Sequence, residues 1–152
     1  MRHSAWLLVS VFLFCGWCPT HCDASQDATT DKRVAVLIDR MIKADTEEKA
    51  FSQLEALGCA AVPATIRRMD DRRSLPDPRI SLRNKSPQAF EGIRHYGPQQ
   101  VVDALAAILN QVTGQDFGFI YNGATNEERT KTIRDWRRFL ESTPAPELCK
   151  AG

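Results

Sequence analysis

The chain has 152 residues, 43% of them hydrophobic, and 20 Lys and Arg against 19 Asp and Glu leave a net charge of +1. That length holds one domain with an ordinary core. The even balance argues against a nucleic-acid binder, which carries a marked basic excess, and no block of like charge is long enough to read as a disordered tail.

At the N-terminus, Arg2 and His3 precede a continuously apolar run, AWLLVSVFLF (5–14). About ten apolar residues are too few to cross a bilayer, which takes about twenty, but they match the core of a secretory signal peptide. Ala24, two residues after Cys22, offers small residues for cleavage. The expected organisation is therefore a signal peptide over 1–24, a disordered N-terminus over 25–30, a folded domain over 31–141 and a C-terminal tail over 142–152. The mature chain is expected to be periplasmic or secreted, with no stable membrane span. Cys15-Gly-Trp-Cys18 has the spacing of a redox pair, but such pairs work at a helix start in a folded domain, not at the end of an export signal. None of Cys15, Cys18 and Cys22 follows a small residue as lipid attachment requires. Cleavage leaves Cys59 and Cys149, and an oxidising compartment makes one disulfide between them the expected state. The other arrangement is a buried Cys59 with a free thiol in the tail.

Next in chain order, Val34, Leu37, Ile38 and Met41 mark a first helix by their spacing. A second unit opens at Thr46, as a cap, with Glu47 and Glu48 in the first turn. Ala50, Phe51, Leu54 and Leu57 share one face of that helix and Gly58 ends it. Pro63 then suits the first turn of another helix, with Val62, Ile66 and Met69 facing inward. The stretch 70–86 contains Pro76 and Pro78, which forbid a helix there.

Shifted by 39 residues, the unit recurs. Ala50-Phe51 maps to Ala89-Phe90, Leu54 to Ile93, Leu57 to Tyr96 and Gly58 to Gly97; Val62, Ile66 and Met69 map to Val101, Leu105 and Ile108. On this reading Ser86-Pro87 opens a helix that Gly97 closes, and Pro98 opens the next, which runs through Val112 to Gly114. A final helix carries Ile133, Trp136 and Leu140, with Thr125-x-x-Glu128 as its capping box. Helix pairs repeating at about 40 residues are the signature of an α-solenoid. LEALGCAAVPATI (54–66) resembles a short bacterial HEAT repeat, and HYGPQQVVDALAAIL (95–109) a looser copy. The stretch from Leu109 to Arg129, with Trp136-Arg137, is similar to exported bacterial HEAT-like proteins. That resemblance, over about 46–141, implies an all-α stack of two repeats with flanking capping helices, six helices in all. It also implies a role in binding other proteins.

Few residues suggest chemistry. After cleavage His95 is the one histidine left, without a nucleophile motif such as G-x-S-x-G. At the expected end of a helix it would serve the helix dipole. Cys59, His95 and Cys149 lack the paired spacing of zinc sites, so neither metal nor cofactor is expected. Asp116-Phe117-Gly118 matches a kinase magnesium motif in letters only. Asn84-Lys85-Ser86 fits a glycosylation pattern that the following Pro87 disfavours. Arg67, Arg68, Arg72, Arg73, Arg79 and Arg83 could grip an anion, although Asp70, Asp71 and Asp77 are interleaved and favour local ion pairs.

The remaining feature is QDFGFIYNGATNEER (115–129). Phe117, Phe119 and Tyr121 at a period of two suggest an extended segment, turned by Asn122-Gly123. These aromatics either plug the open end of a short array or, with Tyr96 and Trp136, line a binding groove; Arg72 and Arg73 are further candidate contacts. The expected function is a protein-binding module with a partner in the cell envelope. An immunity or inhibitor protein against a toxin or hydrolase is one form of it. A hydrolase using Asp116, Glu127 and Glu128, or a self-associating envelope component, are the alternatives.

Overall fold

Val34, Leu37, Ile38 and Met41 turn one stripe of the first helix inward, and all four are buried. In the computed structural model, which describes residues 21–84 and 90–149 with side chains from residue 27 onward, this helix is α1 (His21–Met41). It is followed by α2 (Glu47–Ala56), α3 (Val62–Arg67), β1 (Ile80–Arg83), β2 (Ile93–Tyr96), α4 (Val101–Thr113) and α5 (Asn126–Ser142), with short 3-10 turns at Gly58–Ala61 and Ala145–Glu147. The chain is mostly helical with one small sheet. The apolar segment 5–14, the Cys15 to Cys18 motif, residues 85 and 86 of the glycosylation pattern and the Ser86-Pro87 helix start lie outside the described residues.

The first helical pair forms as its pattern predicts. Ala50, Phe51 and Leu54 are buried on α2, and Val62, Ile66 and Met69 at and beyond α3. Gly58 ends α2 at positive φ and Pro63 occupies the first turn of α3. Thr46 stands at the cap of α2 but its hydroxyl donates instead to the Arg40 carbonyl, 2.9 Å away.

The second copy of the unit keeps only its second helix. Where a helix ending at Gly97 is expected, Ile93–Tyr96 is a strand paired antiparallel with β1, in the register Ile80↔Tyr96, Ser81↔His95, Leu82↔Arg94 and Arg83↔Ile93. The environments differ accordingly. Phe51 is 2% exposed and Phe90 102%; Leu54 is 1% exposed and Ile93 50%. Ile80 and Leu82 are the buried side of the hairpin, and that alternation suits a strand with one face covered. The fold is therefore not all-α, and the described residues hold five α-helices instead of six.

α4 is the centre of the core. Every residue from Val101 to Leu109 is buried, so this helix meets protein on all sides. Its first N–H groups, which no helical carbonyl can reach, are met by the segment that follows α3: Val101 donates to the Arg73 carbonyl at 3.0 Å and Val102 to that of Asp71 at 3.1 Å. Asp103 lies within this apolar surface, and both its oxygens are used. It accepts Nε and Nη2 of Arg129 on α5, at 2.7 and 2.8 Å, and the backbone N–H groups of Gln99 and Gln100, both at 3.1 Å. A buried charge is tolerable only when paired and hydrogen-bonded in this way.

Both ends of the domain are anchored. Residues 25–30, expected to be disordered, are part of α1, whose Asp31 is gripped by Arg67 and Arg68 next to α3. The expected tail is tied down as far as Cys149, which forms a disulfide with Cys59, their Cα atoms 5.9 Å apart. Leu148 beside it is buried.

Candidate functional site

The loop between α4 and α5 is braced residue by residue. Thr113 accepts the Gln115 N–H at 3.1 Å, Asn110 donates to the Gln115 carbonyl at 2.9 Å, and the Asp116 carboxylate accepts the Gly118 N–H at 3.0 Å. Gly118 stands at φ 125°, and a Cβ there would come within 2.7 Å of the Thr132 hydroxyl on α5. That hydroxyl donates to the Phe117 carbonyl at 3.0 Å. Only glycine combines this backbone with so close an approach. At the far end Asn122 accepts the Gly97 N–H at 2.7 Å, and the Gly123 N–H closes the turn on the Ile120 carbonyl at 3.2 Å. The loop has no strand pairing, so the extended segment expected here is an irregular loop.

The sequence candidates divide into two groups. Phe117 and Trp136 pack edge to face at 4.7 Å, with Phe139 5.5 Å from Phe117, in a cluster that includes the fully buried Trp136. These are core residues. Tyr96, Phe119, Tyr121 and Asn122 gather at the other side of the loop. Tyr121 sits edge-on to Tyr96 at 5.5 Å and to Phe119 at 6.0 Å. Tyr121 is 8% exposed, but Phe119 is 83% exposed. The Tyr121 hydroxyl is closed off from water beside the Asp116 carboxylate. Burial, and then the nearby Asp116 carboxylate, push this phenol well above its ordinary range, so it stays protonated.

Arg72 and Arg73 belong to neither group. Arg73 is held between Asp71 and Asp39, and Arg79 pairs with Asp77, the local ion pairing that interleaved acids favour. Arg72 donates to the Thr130 hydroxyl on α5 at 3.2 Å.

Two of the three acids proposed for hydrolysis, Asp116 and Glu128, are spent on structure. Glu128 accepts both the N–H and the hydroxyl of Thr125 at 2.8 Å, completing the capping box, and those two bonds hold its carboxyl below its usual range. Asp116 closes the turn at Gly118. Among the described residues, the carboxyl held above its ordinary range is that of Glu47, through burial; one oxygen accepts the Asp77 N–H at 3.0 Å and the other has no partner.

His95 is not at a helix end. It stands on β2 opposite Ser81, and the two side chains share a hydrogen bond of 2.9 Å between Oγ and Nδ1. Both residues are exposed. The alternation of ISLR and IRHY was the signal that could have paired them. The buried Asp103–Arg129 pair was also missed; an acid at the third position of an otherwise apolar helix was its trace.

Comparison with protein-family models, curated proteins and solved structures finds no match to this chain.

Proposed function

We propose that the chain is an exported binding module that recognises a protein partner in the cell envelope through the tip of the 114–125 loop. The observation that carries this reading is Phe119: it is 83% exposed on a loop whose other positions are fixed by hydrogen bonds and buried rings. An aromatic carried on a braced backbone spends little ordering of the loop on contact, which makes it an effective anchor. Tyr96, Tyr121 and Asn122 frame it.

Export is supported by the apolar segment near the N-terminus and by the Cys59–Cys149 disulfide, which persists in oxidising compartments. In the same reading α1 to α4 act as a short HEAT-like stack into which the hairpin is inserted. A projecting aromatic on a braced loop also suits an inhibitor or immunity protein that plugs the cleft of a toxin or hydrolase. The structural use of Asp116 and Glu128 weighs against the chain being a hydrolase itself.

The test is affinity capture from an envelope extract, followed by titration of the purified partner. The parent chain is expected to retain one protein in stoichiometric amount, and Phe119→Ala to weaken its binding by about tenfold or more. Capture of nothing, or equal binding by the variant, would overturn the reading.

A further inference from the structure

Arg72 differs from the arginines around it. Arg67 and Arg68 share Asp31, Arg73 is held by Asp71 and Asp39, and Arg79 by Asp77. Arg72 pairs with no carboxylate among the described residues. Its Nη2 donates to Thr130, and its Nη1 is shut off from water without an acceptor. A guanidinium in that state is costly, and negative charge placed nearby lowers the cost.

Its surroundings add to the imbalance. α5 turns Thr130, Ile133, Arg134, Arg137, Arg138 and Glu141 toward Asp70 and Arg72, and together they line a cleft of about 440 Å³. Four arginines against two acids leave this lining two charges positive, in a chain whose total is +1. Arg137 is held by Asp70. Arg138 reaches Asp135 only at 3.4 Å, and Arg134 forms no hydrogen bond or ion pair among the described residues. The wall bearing Arg72 is fixed, because the carbonyls on either side of it, of Asp71 and Arg73, accept the first N–H groups of α4.

We propose that this cleft binds the phosphate group of a phosphomonoester. The positive balance of the lining suits an anion, and the planar forks of Arg134 and Arg138 match phosphate oxygens. Arg72 acts from beneath, through its charge. The cleft lies within the range of small-molecule sites, about 300–1,000 Å³, so it holds the phosphate together with part of the molecule that carries it. A second basic groove, lined by Lys32, Arg33 and Arg40 over Val36 and Leu37, lacks this bracing: among the described residues, none of its cations is held by a side-chain hydrogen bond. It serves as the control.

The experiment titrates the purified chain with glycerol 3-phosphate by calorimetry. A parallel arm uses phosphatidic acid vesicles, with phosphatidylcholine vesicles as the blank. Saturable binding is expected, weakened about tenfold or more by Arg134→Gln and by Arg72→Gln, and unchanged by Arg33→Gln/Arg40→Gln. Arg134 is exposed, so its replacement tests binding without disturbing the core. Saturation by the soluble ester identifies a soluble ligand; saturation by phosphatidic acid alone identifies a lipid headgroup. Absence of saturable binding in both arms at millimolar concentration, or an equal loss in the Arg33/Arg40 variant, overturns the proposal.

Discussion

Phe119 and Tyr121 are two residues apart and meet opposite surroundings, one in water and one against Tyr96. Each ring's environment predicts the cost of removing it. Phe119→Ala should melt within about 0.5 kcal/mol of the parent, as exposed substitutions do. Trp136→Ala should lose about 3–5 kcal/mol, because it empties the centre of the Phe117–Phe139 cluster. Thermal melting of both variants checks the division between the buried aromatic cluster and the exposed loop tip. Two carboxylates should shape the pH profile with opposite signs. Hydrogen bonds from Arg68 and Arg67 depress the Asp31 carboxyl in the folded chain. Its stabilisation is therefore present above the unfolded value of about 4 and is lost as pH falls through the folded value. Glu47 is raised by burial, so its contribution is present below about pH 4 and lost as pH rises through its folded value. Denaturation series across pH should show Asp31→Asn destabilised at neutral pH with a flatter acid limb. Glu47→Gln should gain on the parent at neutral pH and lose that gain in acid.

At the scale of elements, one buried ion pair orients α5 on the core. The Arg129 fork meets Asp103 near the start of α4, and both side chains are buried. Arg129→Met would leave Asp103 charged and buried with only its two backbone donors. The expected cost is about 3–5 kcal/mol, measured as a shift in denaturant midpoint. Restoring part of it with Asp103→Asn in the same chain would show that the uncompensated charge, and not lost packing, carries the cost. The hairpin belongs to this scale too. Its outward face carries Ser81, His95 and the half-exposed Ile93, and its inward face places Tyr96 under Tyr121. A strand thus supports the candidate site where a helix was expected.

For the whole molecule, the disulfide joins the turn after α2 to the segment beyond α5, across a sequence separation of 90 residues. Closing so long a loop restricts the unfolded chain strongly. Cys59→Ser/Cys149→Ser should therefore lose up to about 4–5 kcal/mol, measured by chemical denaturation with and without reductant. Unchanged stability in the double variant would mean that packing around Leu148 already holds the C-terminal segment.

Local pattern alone determined much of this protein. The helical stripes of α1, α2, α4 and α5, the glycines that end α2 and α4, the Thr125–Glu128 capping box and the pairing of Cys59 with Cys149 were all legible, because each depends on spacing within a turn or on composition. Tertiary structure decided the rest. The 93–96 segment carries an apolar spacing that serves a helix or a strand equally; the buried faces of Ile80 and Leu82, distant in sequence, made it a strand. Asp103 marked a buried acid, but which residue would pair with it, and the isolation of Arg72, could not be read from local spacing. Charges distribute themselves among neighbours that only folding brings together. The exposure of Phe119 beside a buried Tyr121 follows from the same cause, since burial is a property of what packs against a residue and not of the residue itself.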